Sequence, residues 1–211
     1  MNDKILPSNL YHRAQFFKSA PNLKLCPPDK GFEVAFVGRS NSGKSSAINA
    51  ITGINRLART SKTPGRTQLI NFFSLDNERR LVDLPGYGYA KVPDRVKLDI
   101  EKILETYLSG RDCLCGLVMM MDIRHPLSQF DQQLIEVAKH YSLPVHVILT
   151  KSDKLKRAQA IKTHKEVKKF LDGLDHLISV QTFSALKLIG LDEAKLKLDE
   201  WFQLNSLTEN E

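Results

Sequence analysis

The run Gly38-Arg39-Ser40-Asn41-Ser42-Gly43-Lys44-Ser45 separates an apolar, β-rich stretch, FEVAFV, from a helical one, AINAITG. The spacing G-x-x-x-x-G-K-[ST] between a strand and a helix suits the cradling of phosphate oxygens. Glycine lets the chain turn sharply and brings amide N–H groups close to an anion, and the helix that follows aims its unsatisfied amides and positive dipole end at the same point. Lys44 then reaches the outer phosphates, and the Ser45 hydroxyl suits a Mg²⁺ ion. A glycine-rich turn that merely caps a helix requires neither the Gly-Lys-Ser order nor this length.

Phosphate chemistry alone selects no base. Asp83-Leu84-Pro85-Gly86 closes RRLVDLP, which puts Asp83 where it holds Mg²⁺ through water and the Gly86 amide where it senses a third phosphate. Thr150-Lys151-Ser152-Asp153 ends PVHVILT. A carboxylate there accepts from the ring N1–H and the exocyclic amine of guanine, a donor pair that adenine lacks. Lys151 can lay its stem over the base plane. In isolation this stretch is better read as a polar turn opening a surface helix. A hydroxyl at Thr150 also offers less than an amide would, which predicts a weakened hold on guanine. Phe183-Ser184-Ala185 ends LISVQTF and offers the amides of Ser184 and Ala185 to guanine O6. Between the phosphate loop and the next strand, RTSKTPGRTQL holds a hydroxyl to complete a Mg²⁺ shell, Thr67 first and Thr63 second, although an ordinary exposed loop has the same composition.

These groups need a scaffold that delivers distant loops to one edge. After residue 31, short β-rich runs alternate with helical stretches, the pattern of a parallel sheet with crossover helices. The strands are FEVAFVG, TQLINFFSL, RRLVDLP, LCGLVMMMD, PVHVILT and LISVQTF, with helices starting near Ser42, Asp94, Ser128, Lys156 and Gly190. Only Asp76-Asn77-Glu78 separates the second strand from the third, too short for a parallel crossover, so these two form an antiparallel hairpin. The expected fold is α/β: a mostly parallel six-stranded sheet with one antiparallel strand at its edge and helices on both faces. Residues 1–31 read as an N-terminal extension, in which Leu10, Ala14 and Phe17 have helix spacing and Phe16 joins them in packing aromatics onto the core. Residues 32–205 form the main domain, and 206–211 an acidic tail. In the last helix, Leu191, Ala194, Leu198 and Trp201 share one apolar face.

Composition bounds the rest. The chain has 211 residues and a net charge of +7, which favours polyanionic partners or simply keeps the protein soluble. The stretch from Thr150 to Phe170 is rich in lysine, the signature of a solvated helix face or of a nucleic-acid contact. Cys26, Cys113 and Cys115 form no paired framework, which fits a reducing compartment, and the scattered histidines suggest no zinc site. The longest apolar stretch is too short to cross a bilayer, and the N-terminus lacks a secretory segment, so a cytoplasmic location is expected. With no apolar helix face left over, a monomer is expected.

Specific wording goes further. RSNSGKSSAINA, KTPGRTQLINFF, DLPGYGYAKV, DIRHPL and LTKSDKLKR, together with the upstream AQFFKSAPNLKLCP, resemble the EngB (YihA/YsxC) family of bacterial Ras-like GTP-binding proteins over nearly the whole chain. The resemblance implies a P-loop NTPase fold and a Mg²⁺-dependent GTPase that binds GTP and GDP. It also implies a part in assembly of the large ribosomal subunit, through precursor ribosomal RNA, and in normal cell division and septation. It assigns Gly38 to Ser45 to phosphate and Ser45 and Thr67 to Mg²⁺. Gly65, Arg66, Thr67, Gln68 and Leu69 fall to the switch segment, Asp83 to Gly86 to the γ-phosphate side, and Thr150 to Asp153 with Phe183 to Ala185 to the base.

The catalytic set is expected to be Lys44, Thr67 and Asn41. Tyr87 stands where Ras-type enzymes carry a water-orienting Gln. An aromatic ring cannot aim a water in that way, so unassisted hydrolysis is expected to be slow. Asn41 either caps the loop turn or, as in related GTPases with a hydrophobic residue at the Gln position, ligates K⁺. Arg39 and Arg66 are positioned either to place charge on the transition state or to face solvent. Two biological roles follow: nucleotide-dependent gripping of ribosomal RNA by the switch segments and the Lys154–Lys169 face, or a GTP-controlled protein-binding switch on the division machinery. A P-loop ATPase or small-molecule kinase is disfavoured by Asp153.

Overall fold

Seven strands form one sheet: β1 (Gln15–Ala20), β2 (Phe32–Gly38), β3 (Ile70–Ser74), β4 (Arg79–Asp83), β5 (Leu114–Asp122), β6 (Val145–Thr150) and β7 (Ile178–Thr182). Their order is β1-β3-β4-β2-β5-β6-β7. The computed structural model describes residues 10–58, 69–88, 93–174 and 177–204. Thr63, Gly65, Arg66, Thr67, Gln68 and the 206–211 tail lie outside the described residues.

Strand β2 occupies the middle, parallel to β4 on one side and β5 on the other. Its inner residues are buried and alternate between two cores, as a strand covered on both faces must. Val34 and Phe36 pack with α1 (Lys44–Thr52) and α5 (Leu191–Trp201), through Ile48, Ile51, Ala194, Leu198 and Trp201. Ala35 and Val37 pack with α2 (Asp94–Ser109), α3 (Gln129–His140) and α4 (Arg157–Asp172), through Leu104, Leu134, Ile135, Val167 and Leu171. All five helices begin within two residues of the positions expected from sequence.

The sheet has seven strands rather than the six expected, because the N-terminal extension contributes β1. This strand pairs antiparallel with β3, which pairs antiparallel with β4. Strand β3 is therefore the one reversed strand, as expected, but it lies inside the sheet and β1 takes the edge. The helix spacing of Leu10 and Ala14 reflects a 3₁₀ turn, Tyr11–Arg13, that packs into the α1/α5 core, and the Tyr11 hydroxyl donates to Asp199 on α5 at 2.6 Å. The two phenylalanines follow a different rule. A bulge between Phe16 and Lys18 breaks the period of β1, and Phe16 and Phe17 remain 59% and 54% exposed, although the Phe16 ring meets the core residue Phe73 edge-on.

At the far end of β2 from the phosphate loop, Glu33 is fully buried. It accepts from Arg111 at 2.7 and 2.8 Å, from Arg80 at 2.8 Å and from the Tyr107 hydroxyl at 2.6 Å. Burial alone would raise this carboxyl, but the bonds from Arg111 and Tyr107 and the charges of Arg111 and Arg80 outweigh it and hold the group below its usual range. The contribution to stability is thus present above the unfolded glutamate value of about 4.3 and is lost as pH falls through the lower folded value. Glu33→Gln leaves Arg80 without a counter-charge and Arg111 with only Asp29 at 3.9 Å, and is expected to cost about 3–5 kcal/mol. Urea unfolding at pH 7 reads the loss, and repetition below pH 4 should show the gap between the two proteins closing.

Candidate functional site

The C-terminal ends of β2, β4 and β6 open on one side of the sheet, where loops collect in a parallel α/β fold. A cavity of about 1130 Å³ lies there, walled by the 39–46 loop, Asp83–Gly86 and Lys151, with Phe16, Asn71 and Phe73 on its far side.

The loop between β2 and α1 is shaped by its glycines. A Cβ on Gly38 would sit 2.5 Å from the Met120 carbonyl oxygen, so the loop leaves β2 closer to β5 than any side chain permits. Gly43, the residue before α1, has φ +96°, in the left-handed region that favours glycine. Lys44 and Ser45 occupy the first turn of α1 and line the cavity. The Lys44 ammonium donates to the Asp83 carboxylate, which puts a cation and a hard oxygen donor side by side on the wall. The Ser42 Oγ is buried and has no hydrogen-bond partner among the described residues.

Strand β6 is tied to this loop directly. Thr150 is buried at its end, and its hydroxyl lies in hydrogen-bonding contact with the Ser42 carbonyl and, at 3.1 Å, with the Met121 carbonyl of β5. It is a strut between the loop and the sheet. Lys151, at φ +58°, donates from Nζ to the Asn41 carbonyl at 2.6 Å and to Asp122 at 2.9 Å. Its stem is thereby stretched from the base strand to the phosphate loop. Hydrogen bonds from Arg124 hold the Asp122 carboxyl well below the usual carboxylate range against the opposing effect of burial, and the Lys151 bond and charge add to that pull.

Asp153 lies one turn further on. The Ser184 hydroxyl donates to it at 2.6 Å, and this bond keeps its carboxyl below the ordinary range and ionised at neutral pH. Ser184 is itself fixed, because its own N–H donates to the Ile189 carbonyl at 3.0 Å and its Oγ accepts from the Lys187 amide at 3.1 Å. That is a correction to the sequence reading. The Ser184 N–H closes a turn and its side chain orients Asp153. Phe183 is buried, with its carbonyl accepting from the Ser152 amide at 3.1 Å, so the 150–153 and 183–185 segments are locked together.

Two side chains that the sequence reading passed over hold the rims. Asn49, on α1, grips both backbone groups of Ala58, accepting from its N–H at 2.8 Å and donating to its carbonyl at 3.0 Å. Asp131, at the start of α3, accepts from the buried Tyr87 hydroxyl. Asn49 was visible only as one polar residue among several in α1, and the Ser128-to-Asp131 spacing of the α3 capping box was the one sequence signal for Asp131. Arg39 is exposed on the loop rim.

The matching family model is that of the 50S ribosome-binding GTPases, over residues 33–151. The chain is 53% identical over 193 residues to the probable GTP-binding protein EngB of Coxiella burnetii, covering 92% of this chain and 94% of the relative. To the probable GTP-binding protein EngB of Haemophilus influenzae it is 53% identical over 192 residues, covering 91% and 94%. Among solved structures, a probable GTP-binding protein engB superposes with a TM-score of 0.66 at 22% identity, covering 81% of this chain and 98% of that one. Era in complex with MgGDPNP and a piece of 16S ribosomal RNA superposes with a TM-score of 0.62 at 25% identity, covering 82% and 57%.

Removal of the Asp153 carboxylate tests whether it selects the base. Asp153→Ala is expected to weaken binding of labelled GDP and GTP by about 100-fold, the size of a lost pair of charge-assisted hydrogen bonds, while leaving weak ATP binding unchanged. Equal affinities for GTP and ATP in the unaltered protein would remove guanine selection from this residue.

Proposed function

Because this chain belongs to the EngB family of GTP-binding proteins, and is a GTPase with a Ras-like fold, we propose that it works as a cytoplasmic, monomeric, Mg²⁺-dependent switch in assembly of the large ribosomal subunit, and so in normal division and septation. In this reading the amides from Gly38 to Ser45 and the Lys44 ammonium hold the phosphates, Asp83 to Gly86 face the γ-phosphate, and Thr150 to Asp153 with Phe183 to Ala185 form the base pocket. Gly65 to Leu69 supply the switch contact. The residues present suit Mg²⁺: Ser45 and the Asp83 carboxylate are hard oxygen donors on one wall, beside the unpartnered Ser42 hydroxyl. Bound there with Thr67, the ion would neutralise charge on the β- and γ-phosphates. Lys44 adds a second positive charge at the same oxygens.

The observation that carries the ribosomal reading is the charge on one flank. Lys154, Lys156, Arg157, Lys162, Lys165, Lys168 and Lys169 are exposed along α4 and the turn before it, directly after the Thr150–Asp153 segment. Two of these lysines make helical ion pairs, Lys162 with Glu166 at 3.9 Å and Lys168 with Asp172 at 2.9 Å, and the excess of cations stays large. Such a face binds phosphate backbone irrespective of sequence. Absence of any membrane-length apolar helix among the described residues accords with this placement.

Co-sedimentation with large-subunit precursors tests the proposal: association should require GTP, fall steeply between about 50 and 200 mM salt, and weaken when Lys165, Lys168 and Lys169 are changed together to Glu. Nucleotide-dependent association that ignores salt and these substitutions would point to a protein partner instead. For hydrolysis itself, K⁺ held through Asn41 is expected to raise turnover, and equal rates in K⁺ and Na⁺ at matched ionic strength would remove that ion from the mechanism.

A further inference from the structure

Tyr87 follows Gly86 directly, yet its ring takes no part in the cleft. It is buried to 2% exposure and packs against Phe130 at 4.4 Å between ring centroids. Its backbone makes a bridge with Arg39: the Tyr87 N–H donates to the Gly38 carbonyl at 3.3 Å, and its carbonyl accepts from the Ser40 N–H at 2.7 Å. The β2–β4 ladder is thus carried past both strand ends into the phosphate loop. The hydroxyl donates to one carboxylate oxygen of Asp131, and the other accepts from the Ser128 N–H at 2.7 Å, while Ser128 Oγ accepts from the Asp131 N–H at 3.3 Å. Asp131 is 1% exposed and stands in the first turn of α3, where the helix dipole favours a negative charge.

We infer that Tyr87 is a positioning residue for GTP hydrolysis, acting through Asp131: the hydroxyl–carboxylate bond pins the peptide after Gly86 between α3 and the phosphate loop. A group that touches the Gly38 and Ser40 backbone on one side and a helix cap on the other cannot shift without moving Gly86 relative to that loop. The bond therefore sets where the Gly86 amide points as the γ-phosphate becomes metaphosphate-like and its oxygens gather charge. Ground-state binding relies on the rest of the cradle and on the base pocket, so loss of the bond should appear in turnover and not in nucleotide affinity. The inference rests on the placement of Gly86 at the γ-phosphate side.

Tyr87→Phe deletes one oxygen and keeps the ring against Phe130. In single-turnover assays normalised to titrated GDP sites, it is expected to lower the hydrolysis rate roughly tenfold, with GDP and GTP affinities within about twofold of wild type, as for a lost positioning contact. Asp131→Ala removes the acceptor of that bond and should do the same. The double variant should be no slower than either single, because both delete one contact. Leu171→Ala, in the core beneath α4, supplies a destabilised control whose rate per titrated site should stay at wild type. A wild-type rate in Tyr87→Phe, additive losses in the double variant, or an equal loss in the control would overturn the inference. Failure of the wild-type protein to hydrolyse GTP at all would instead sink the placement of Gly86.

Discussion

The whole cleft depends on the contact between the Thr150 hydroxyl and the Ser42 carbonyl. The loop before α1 and the end of β6 lie more than a hundred residues apart in the chain, yet both wall the cleft. Ordinary sheet hydrogen bonding aligns β2, β5 and β6, but it stops where the strands end and the loops begin. A buried threonine at the end of β6 spans that gap, touching the loop and the neighbouring Met121 carbonyl together. Lys151 repeats the linkage one residue on, from its Nζ to the Asn41 carbonyl. The loop before α1 and the Thr150–Asp153 segment are thereby tied together at two successive residues.

Rigidity at that seam is matched by firm roots elsewhere. Asn49 ties Ala58, where the 59–68 segment begins, to α1, and Tyr87 ties the peptide before residues 89–92 to α3. The buried Glu33 cluster does the same for β2 from below, setting the strand that feeds the phosphate loop against two arginines and a tyrosine.

Much of this was legible in the sequence, for identifiable reasons. The loop glycines are set by local chemistry, because no other residue fits so near the Met120 carbonyl as Gly38. The parallel strands from β2 onward were found because burial on both faces writes continuous apolar runs. Strand β1 was missed because an edge strand with a bulge has no period to read, and most of its residues face solvent. The Ser184 amide was assigned to a base although the turn to Ile189 had already claimed it, and hydrogen bonds of that kind follow from backbone geometry that a residue string does not display. Likewise the partners of Glu33 come from positions up to 78 residues away, so its burial reads in sequence as a charge in a strand and nothing more.

Tyr87 shows how a departure from a familiar pattern becomes informative once packing is known. A residue in that place can either face the γ-phosphate and order a water or turn inward and brace the fold, but one side chain cannot do both. Here the ring is buried against Phe130 and its hydroxyl is committed to Asp131. The attacking water must be oriented by something supplied from outside this side chain: an ion at the loop, a backbone group, or a partner. Position 87 therefore acts on the cleft through its backbone bonds to Gly38 and Ser40 and through the α3 cap.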